Sequence, residues 1–273
     1  MSDEVVVVTG VGGMGKVIAR RQGIGKTLLL ADYNEETLAK VVDELKADGH
    51  NVIGHRVDVS SRESVAALAE TATTLGRVTQ VAHTAGLSPA QAPTQAILAV
   101  DLVGVAVVLE EFGKIVASAG AGVVIASMAG HMPLDLTAEQ EQELATTAAE
   151  DLLALPYVQS IEYPASAYQF SKRANHIRVR AVARQWGARG ARINSISPGL
   201  VSTTMGHQEL ASETGIVAKS LIDGSATKRI GTSDDVAAAA AFLLGPESSQ
   251  ITGTDLLVDG GVIAAARSGQ LFS

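Results

Sequence analysis

The chain has 273 residues, of which 47% are apolar and 18% charged, and it contains no cysteine. Such a composition supports a sizeable core and differs from that of disordered chains. The lack of cysteine excludes disulfides, thiolate catalysis and cysteine-ligated zinc. With 21 basic and 29 acidic residues the net charge is −8, which argues against nucleic acid or an anionic membrane as a partner.

Two segments bear on where the protein resides. Residues 1–4 lack the basic region that begins a signal peptide. The longest uncharged run, residues 115–130, is too short and too rich in glycine and serine to span a bilayer. We therefore expect a cytoplasmic protein without a membrane segment.

A glycine-rich turn follows the first predicted strand. Residues 4–9 hold four consecutive valines, which are typical of a strand buried on both faces. The turn brings Gly10, Gly13 and Met14 to the start of a helix predicted over residues 16–22. Backbone N–H groups and the helix dipole at such a junction bind a pyrophosphate. The pattern predicts a dinucleotide site.

Asp32 ends the second predicted strand, which covers residues 28–31, and lies 22 residues after Gly10. A carboxylate at this distance from the turn accepts the ribose hydroxyls of a dinucleotide. The alternative is that Asp32 only opens a loop. Asn34 is then expected to cap a helix that ends near Gly49.

Further strands alternate with helices along the chain. Strands are predicted at residues 51–59, 78–82, 122–126, 191–196 and 255–258. Ser60 and Glu63 form a capping-box pattern for a helix that ends near Gly76, and residues 95–119 are expected to be mostly helical. Alternation of this kind predicts a single-domain, Rossmann-type α/β fold: a doubly wound parallel sheet of about seven strands with helices on both faces.

Residues 131–164 interrupt this alternation. Thr137 with Gln140 is a second capping-box pattern, and apolar residues recur behind it at helical spacing, so we expect an inserted helix closed by Pro156. A polar span after residue 196 reaches Gly231, where another helix begins at Ser233. Because no linker interrupts the chain, residues 1–273 are expected to form one domain.

Tyr168 and Lys172 stand four residues apart, one turn from each other on one face of a helix predicted to end near Trp186. A free phenol has a pKa of about 10 and is a poor base at neutral pH. A nearby ammonium favours the phenolate by roughly 4 kcal/mol at an effective dielectric of about 20, enough to lower the pKa by up to about 3 units. Taken alone, the pair is as compatible with chance as with catalysis.

These motifs together resemble the short-chain dehydrogenase/reductase family, over about residues 4–262. The resemblance implies that Tyr168 exchanges the proton of the substrate oxygen, that Lys172 binds the nicotinamide ribose, and that Ser127 hydrogen-bonds the carbonyl. It places Asp58 and Val59 near the adenine and Thr203 near the carboxamide. The implied cofactor set is completed by Thr84, Ala85, Gly86, Pro198, Gly199 and Val201.

The chain departs from the family pattern in four places. The glycine turn is one residue shorter than usual, and His83 stands where the family often has an Asn that ties the central strand to its neighbour. Asp101 stands where many members carry an Asn that holds a water of the proton relay, so a carboxylate charge is expected near Lys172. The inserted helix resembles one in some bacterial hydroxysteroid dehydrogenase/carbonyl reductases, which hints at alicyclic or steroid-like substrates.

The sequence and the resemblance thus favour an NAD-dependent oxidoreductase that interconverts a secondary alcohol and a ketone. Its expected catalytic residues are Ser127, Tyr168, Lys172 and Asp101. We expect it to form a homodimer or homotetramer. The rival is a dinucleotide-binding sensor or scaffold without turnover. Substrate-lining residues are expected within 86–96, 128–135 and 200–225.

Other polar residues suggest no further site. His131 and His207 have no second histidine or carboxylate at ligand spacing in the sequence, so no metal site is expected. Arg20 and Arg21 are expected on a solvated helix face.

Overall fold

The computed structural model describes residues 3–212 and 215–271. Residues 1–2, at the start considered for a signal peptide, lie outside the described residues, as do residues 213–214 of the predicted substrate lining. No helix in the described part of the chain is long and apolar enough to cross a membrane.

The sheet has seven strands in the order β3-β2-β1-β4-β5-β6-β7, and every neighbouring pair is parallel. The strands are β1 (Glu4–Thr9), β2 (Thr27–Asp32), β3 (Asn51–Arg56), β4 (Arg77–His83), β5 (Ala121–Ile125), β6 (Arg192–Pro198) and β7 (Asp255–Val258). Chain order reverses between β1 and β4, and ligands of such sheets bind at the carboxyl ends of the strands beside this reversal. The prediction of one Rossmann-type domain is confirmed.

Helices cover both faces of the sheet. The α-helices are α1 (Gly13–Gln22), α2 (Glu35–Ala47), α3 (Arg62–Leu75), α4 (Thr94–Ile97), α5 (Val105–Ile115), α6 (Ala138–Thr146), α7 (Pro156–Gln159), α8 (Pro164–Ala188), α9 (Thr204–Ala211), α10 (Gly215–Gly224), α11 (Ser233–Leu244) and α12 (Val262–Arg267). A π-helix covers Leu98–Gly104, and 3-10 helices cover Met128–His131, Ala149–Ala154 and Pro246–Ser248.

The valine run of β1 supplies both apolar layers. Val5 and Val7 belong to the core cluster on one face of the sheet, and Val6 and Val8 belong to the cluster on the other. All four side chains are fully buried. Alternating side chains of a strand point to opposite faces, so a central strand covered on both sides needs an unbroken apolar run.

Several predicted boundaries were wrong. Helix α1 begins at Gly13 rather than residue 16, because the glycine turn itself supplies the first helical residues. Strand β3 ends at Arg56, so Asp58 and Val59 lie in the following loop. The cap of α3 is Ser61, whose hydroxyl accepts the Ser64 N–H, whereas the Ser60 hydroxyl donates to Asp58.

The predicted helix over residues 95–119 is divided and shorter. It consists of α4, the π-helix Leu98–Gly104 and α5, and ends at Ile115. Asp101 lies inside the π-helix and is fully buried. Such bulges are frequent at functional sites, and here the extra residue accompanies the buried carboxylate.

The 131–164 segment folds as α6, a 3-10 helix and α7. The capping box of Thr137 and Gln140 is confirmed, but Pro156 begins α7 instead of closing the segment. Leu144 and Leu152 are fully buried in the cluster that includes Phe170 of α8 and Leu102 of the π-helix. The segment therefore covers the flank of these two helices.

The polar span that leads to Gly231 is not a plain loop. It contains α9, capped by the Thr203 hydroxyl, and α10. An isolated bridge between Val201 and Gly231 closes the base of this excursion. Both helices are short and weakly amphipathic, so their apolar spacing gave little signal.

Candidate active site

The glycine turn packs against two neighbouring segments at the carboxyl edge of the sheet. Gly10 has a φ of +83°, and a Cβ there would overlap the backbone of Ala85. A Cβ on Gly13 would lie 2.8 Å from Cγ2 of Thr203. Gly12 caps α1 without a side-chain hydrogen bond, so the first N–H groups of the helix face outward. This arrangement suits a pyrophosphate.

Asp32 lies next to the turn, as the spacing predicts. Its Oδ2 accepts the Val11 N–H at 2.8 Å and its Oδ1 accepts the Asn34 N–H at 2.9 Å. These bonds fix the carboxylate at the cavity wall and leave a lone pair on each oxygen. Asp32 therefore does more than open a loop.

A cavity of about 560 Å³ runs along this edge. Ten residues predicted to bind the cofactor line it: Gly10, Gly13, Met14, Asp32, Asp58, Val59, Thr84, Ala85, Gly86 and Thr203. Gly12, Tyr33, Gln91, Val100 and Met205 are among the further lining residues. Its volume and cradle fit a dinucleotide.

Pro198, Gly199 and Val201 do not line this cavity but shape the backbone behind it. Pro198 ends β6, and the Gly199 N–H donates to the Val258 carbonyl oxygen at 3.0 Å. Val201 forms the isolated bridge to Gly231. This backbone carries Thr203 to its position against Gly13.

Basic groups near Asp32 are already engaged. The Arg56 guanidinium stacks on the ring of Tyr33 at 4.8 Å and pairs with Glu35 at 3.3 Å. Lys16 pairs with Glu44 at 2.8 Å. Arg56 follows Asp32 by 24 residues but is its register partner on β3, a proximity that only the sheet creates.

Ser127, Tyr168 and Lys172 lie together, with Lys172 next to Gly86 of the cavity wall, but none of the three lines the cavity itself. Ser127 caps the 3-10 helix after β5, and its Oγ accepts the Ala129 N–H at 3.1 Å. The Lys172 ammonium lies 5.1 Å from the centre of the Tyr168 ring. The pKa of the Tyr168 phenol is raised by burial, against the opposing effects of Lys172 and a hydrogen bond with Ser127. The Tyr–Lys spacing alone predicts the opposite net direction, because it takes no account of burial.

Asp101 pairs directly with Lys172, its Oδ2 lying 3.0 Å from the ammonium. Asp101 Oδ1 accepts the Leu87 N–H at 2.8 Å. Burial lowers the pKa of Lys172, but Asp101 and Tyr168 outweigh it, and the net pKa is raised. The structure thus places the Asp101 carboxyl group beside Lys172, as predicted, and burial raises the pKa of this carboxyl group against the opposing effect of Lys172.

His83 ties β4 to β1, as expected for its position. Its Nδ1 lies 2.6 Å from the Thr9 hydroxyl. Burial, with a smaller contribution from Lys172, lowers the pKa of His83 to about 3. The imidazole is therefore neutral across the physiological range and adds no charge beside the ion pair.

Two residues near the site, Glu209 and Gln91, were not individually predicted as site residues. Glu209 on α9 is half-buried, its pKa is raised by burial, and its charge acts on Tyr168. Gln91 Nε2 donates to Gln208 Oε1 at 3.0 Å, across the gap between the β4–α4 loop and α9. Both fall within the predicted lining ranges, but no motif distinguishes them.

His131 has neighbours with ligand-type atoms that its local sequence does not show. His176 and Asp255, distant in sequence, bring their ligand-type atoms to within 4.8 Å of it and of each other. His207 is exposed and lies 3.0 Å from the Ser202 hydroxyl. Arg20 is exposed and pairs with Asp48, in agreement with a solvated helix face.

Comparison with known proteins gives the family. Residues 4–139 match the family described as short chain dehydrogenase, and residues 146–263 match that described as enoyl-(acyl carrier protein) reductase. The short-chain dehydrogenase/reductase bsc3 of Alternaria brassicicola is 43% identical, over 97% of each chain. The chain belongs to the short-chain dehydrogenase/reductase family.

Two further relatives span nearly the whole chain. The D-threitol dehydrogenase of Mycolicibacterium smegmatis is 30% identical, over 96% of this chain and 93% of its own. The crystal structure of levodione reductase is 26% identical with a TM-score of 0.76, over 97% of this chain and 99% of that one. This short-chain dehydrogenase/reductase is thus an oxidoreductase of alcohol and ketone groups that binds a nicotinamide dinucleotide, NAD or NADP.

Proposed function

We propose that the protein is an NAD-dependent dehydrogenase/reductase that interconverts a secondary alcohol and a ketone on an alicyclic substrate. The observation that carries this proposal is the convergence of Ser127, Tyr168 and Lys172, with the Lys172 ammonium next to Gly86 of the cavity wall. A protein that only binds dinucleotide has no need of this set.

In the proposed reaction Tyr168 transfers the proton and Ser127 hydrogen-bonds the substrate oxygen. During ketone reduction the Tyr168 hydroxyl donates its proton to that oxygen, and during alcohol oxidation the phenolate accepts it. The Lys172 ammonium stabilises the phenolate, and Asp101 keeps Lys172 protonated. The dinucleotide supplies hydride transfer.

The preference for NAD rests on Asp32. NADP would bring a 2′-phosphate of charge about −1.5 to −2 towards this carboxylate. Each unit of like charge costs about 4 kcal/mol at about 4 Å and an effective dielectric near 20, before solvent and rearrangement reduce it. Arg56, the register partner of Asp32, is paired with Glu35 and stacked on Tyr33, and Lys16 of the first helix is paired with Glu44.

We expect kcat/KM with NAD to exceed that with NADP by at least tenfold, and Asp32→Ser to narrow this gap. Steady-state kinetics with both dinucleotides measures the ratio. Arg20→Gln is the control, because this arginine is exposed and pairs with Asp48 outside the cavity lining, and the ratio should stay within about twofold. Equal rates with both dinucleotides in the wild type would show that Asp32 does not exclude the phosphate.

An alicyclic substrate is supported by the apolar surroundings of the Ser127 turn. Met128 packs with Leu200, Ala218 and Val262, and Met132 lies against the same cluster. Ile216 on α10 is 82% exposed in a helix that packs beside α9. Met132 is half-buried, so it leaves apolar surface beside the Ser127 turn, which suits a hydrocarbon ring better than an open-chain polyol.

The test is a panel of cyclic ketones and acyclic polyols, followed through nicotinamide absorbance. We expect turnover with the cyclic ketones and a loss of at least a hundredfold in kcat in Tyr168→Phe, with dinucleotide affinity within a few-fold. Ser127→Ala should fall in the same range. Tyr157→Phe, remote from the cavity, is the control and should retain full activity.

Retention of more than a tenth of the rate in Tyr168→Phe would reject this tyrosine as the proton-transfer group. Dinucleotide binding without turnover of any panel member would favour the sensor or scaffold, which the unusual His83 and Asp101 motivate. We also propose a homodimer or homotetramer, and light scattering that gives a monomer at micromolar concentration would contradict it.

A further inference from the structure

A histidine follows each of two active-site residues at the same distance. His131 comes four residues after Ser127, and His176 comes four residues after Lys172. Both imidazoles meet the carboxylate of Asp255, the first residue of β7. We propose that His131, His176 and Asp255, here called the His–Asp clamp, position Ser127 against Lys172 and Tyr168. This role rests on the proposed function.

The clamp connects three segments that are far apart in the sequence. His131 Nε2 lies 2.7 Å from Asp255 Oδ2, and His176 Nε2 lies 2.8 Å from the Ser197 hydroxyl and 3.4 Å from Asp255 Oδ1. The hydroxyls of Ser195 and Ser197 donate to the same Oδ1 at 2.6 and 3.0 Å. Strands β6 and β7 thus anchor both the Ser127 turn and α8.

The contacts define where the protons lie. Ser197 donates to Asp255, so its oxygen receives the Nε2–H of His176. Arg267 Nη2 lies 3.4 Å from His131 Nδ1 and donates to it, which leaves the His131 proton on Nε2, facing Asp255. Both nitrogens nearest the carboxylate are therefore donors. In this state the clamp is a closed hydrogen-bond network, and a metal would have to displace two protons.

The Ser127 turn rests directly on α8. A Cβ on Gly130 would lie 2.6 Å from Cε1 of His176 and 2.8 Å from the Lys172 carbonyl. The His131 and His176 rings also contact each other, with centroids 4.6 Å apart. Since Ser127 Oγ is hydrogen-bonded within this same turn, a shift of the turn displaces the hydroxyl relative to Tyr168.

The polar contacts of the three clamp residues are with one another, with Ser195 and Ser197 of β6 and with Arg267. We therefore expect their effect on the reaction to pass through the Ser127 turn and α8, which they hold in place. Misplacement of a reacting group by about 1 Å can lower a rate by about a hundredfold, with little effect on binding elsewhere. The expected signature is a fall in kcat with little change in KM for the dinucleotide.

The test compares His176→Gln with His176→Leu. The glutamine amide retains an N–H donor for Ser197 and should keep kcat within about threefold of wild type. Leucine fills the space without a donor and should lower kcat at least tenfold, with KM for NAD within about twofold. Asp255→Asn, which loses one of the two oxygens, should also lower kcat at least tenfold.

Ser248→Ala is the matched control, because Ser248 is fully buried and hydrogen-bonds Arg192 at the opposite end of β6. It should lose stability without losing kcat when assayed well below its melting temperature. Amide hydrogen exchange gives a second readout that needs no turnover. Exchange over residues 128–132 should rise in His176→Leu and Asp255→Asn, but not in Ser248→Ala.

Three outcomes would overturn the clamp. Full kcat in both His176→Leu and Asp255→Asn would show that Ser127 needs no such support. Equal losses of kcat in His176→Gln and His176→Leu would show that the clamp contributes only to general stability. A similar loss of kcat in Ser248→Ala would show the same. A kcat or melting temperature that depends on added Zn²⁺ and is lost with a chelator would make the cluster a metal site. Absence of turnover in the wild type would instead reject the proposed function, while the exchange measurement would still decide the clamp.

Discussion

Asp101 places a carboxyl group 3.0 Å from the Lys172 ammonium, which in the proposed reaction stabilises the Tyr168 phenolate. Its negative charge raises the pKa of Tyr168, as does that of Glu209 to a smaller extent. The same carboxylate holds Lys172, whose side chain is almost fully buried, in its charged form. The residue therefore supports the fold and opposes formation of the phenolate.

We expect Asp101→Asn to keep kcat at or above that of the wild type and to shift the acid limb of the alcohol-oxidation pH profile to lower pH. Removal of the carboxylate charge lowers the pKa of Tyr168, so the phenolate forms at lower pH. Because Lys172 loses its buried counter-ion, the free energy of unfolding should fall by roughly 3 kcal/mol. Kinetic pH profiles and urea denaturation measure the two effects.

Glu209→Gln is the comparison for this variant. It also removes an anion that acts on Tyr168, so the acid limb should move in the same direction by less. Because Glu209 is half-buried and not paired with Lys172, stability should change little. A drop beyond about tenfold in kcat for Asp101→Asn would show that the carboxylate itself takes part in the reaction.

The sequence allowed prediction of residues whose signal is local. Asp32 and Ser127 follow strands, and Tyr168 and Lys172 share a helix face. The spacing drew attention to Asp32 and to the Tyr168–Lys172 pair, and the family resemblance supplied the catalytic roles of Ser127, Tyr168 and Lys172. Glu209 and the His131–His176–Asp255 cluster carry no local pattern, because their partners come together only when the chain folds. The net direction of the Tyr168 pKa was also inaccessible, since burial cannot be computed from a four-residue spacing.

At the scale of elements, Gly13 at the start of α1 lies against Thr203, the N-cap residue of α9. A Cβ on Gly13 would lie 2.8 Å from Thr203 Cγ2, while the Thr203 hydroxyl caps α9 through the Gly206 N–H at 3.1 Å. The methyl and hydroxyl groups of one threonine therefore serve two helices. The glycine turn can pack this closely against the Thr203 methyl group only because residue 13 has no side chain.

We expect Gly13→Ala to raise KM for NAD at least fivefold, because the added methyl forces the turn away from Thr203. Overpacking of this kind costs about 1–3 kcal/mol. Thr203→Ser removes Cγ2 but keeps the capping hydroxyl, so the double variant should return KM to within about threefold of wild type. Steady-state kinetics measures both. If the double variant stays as impaired as Gly13→Ala, the Thr203 contact is not the cause.

Prediction of elements succeeded where caps and apolar spacing agreed, as at Asn34, Thr137 and the seven strands. It failed where neighbouring residues were chemically equivalent. Ser60 and Ser61 both fit a cap, and only the Asp58 contact assigns them to different roles. Pro156 could end one helix or begin another, because proline suits both positions. The π-helix had no signal, since one added residue hardly alters the apolar spacing.

On the scale of the whole molecule, two histidines are held neutral by burial. Burial lowers the pKa of His83 to about 3, and it lowers that of His176 to about 4 although Asp255 opposes it. In the unfolded chain both have a pKa near 6.5. Below that pH the unfolded chain binds protons that the folded chain does not, so stability falls as the pH falls.

We expect the free energy of unfolding to decrease between pH 6.5 and 5, by up to about 1.4 kcal/mol per pH unit for each histidine. Urea denaturation at several pH values measures this slope. His83→Asn should reduce the slope, although His176 and the partly buried His55 continue to contribute to it. His207→Asn, at an exposed position, should leave it unchanged. An identical slope in wild type and His83→Asn would show that His83 accepts a proton in the folded state.

The 131–164 segment attaches to the rest of the chain by more than its apolar side chains. Arg62 of α3 binds Glu150 of the segment as well as Glu110 and Glu111 of α5, and Arg173 of α8 binds Glu141 at 3.0 Å. Because the segment belongs to the same chain as α8, its contact with α8 is intramolecular and does not depend on the protein concentration. The flank of α8 that carries Phe170 and Arg173 therefore stays covered in a single isolated chain.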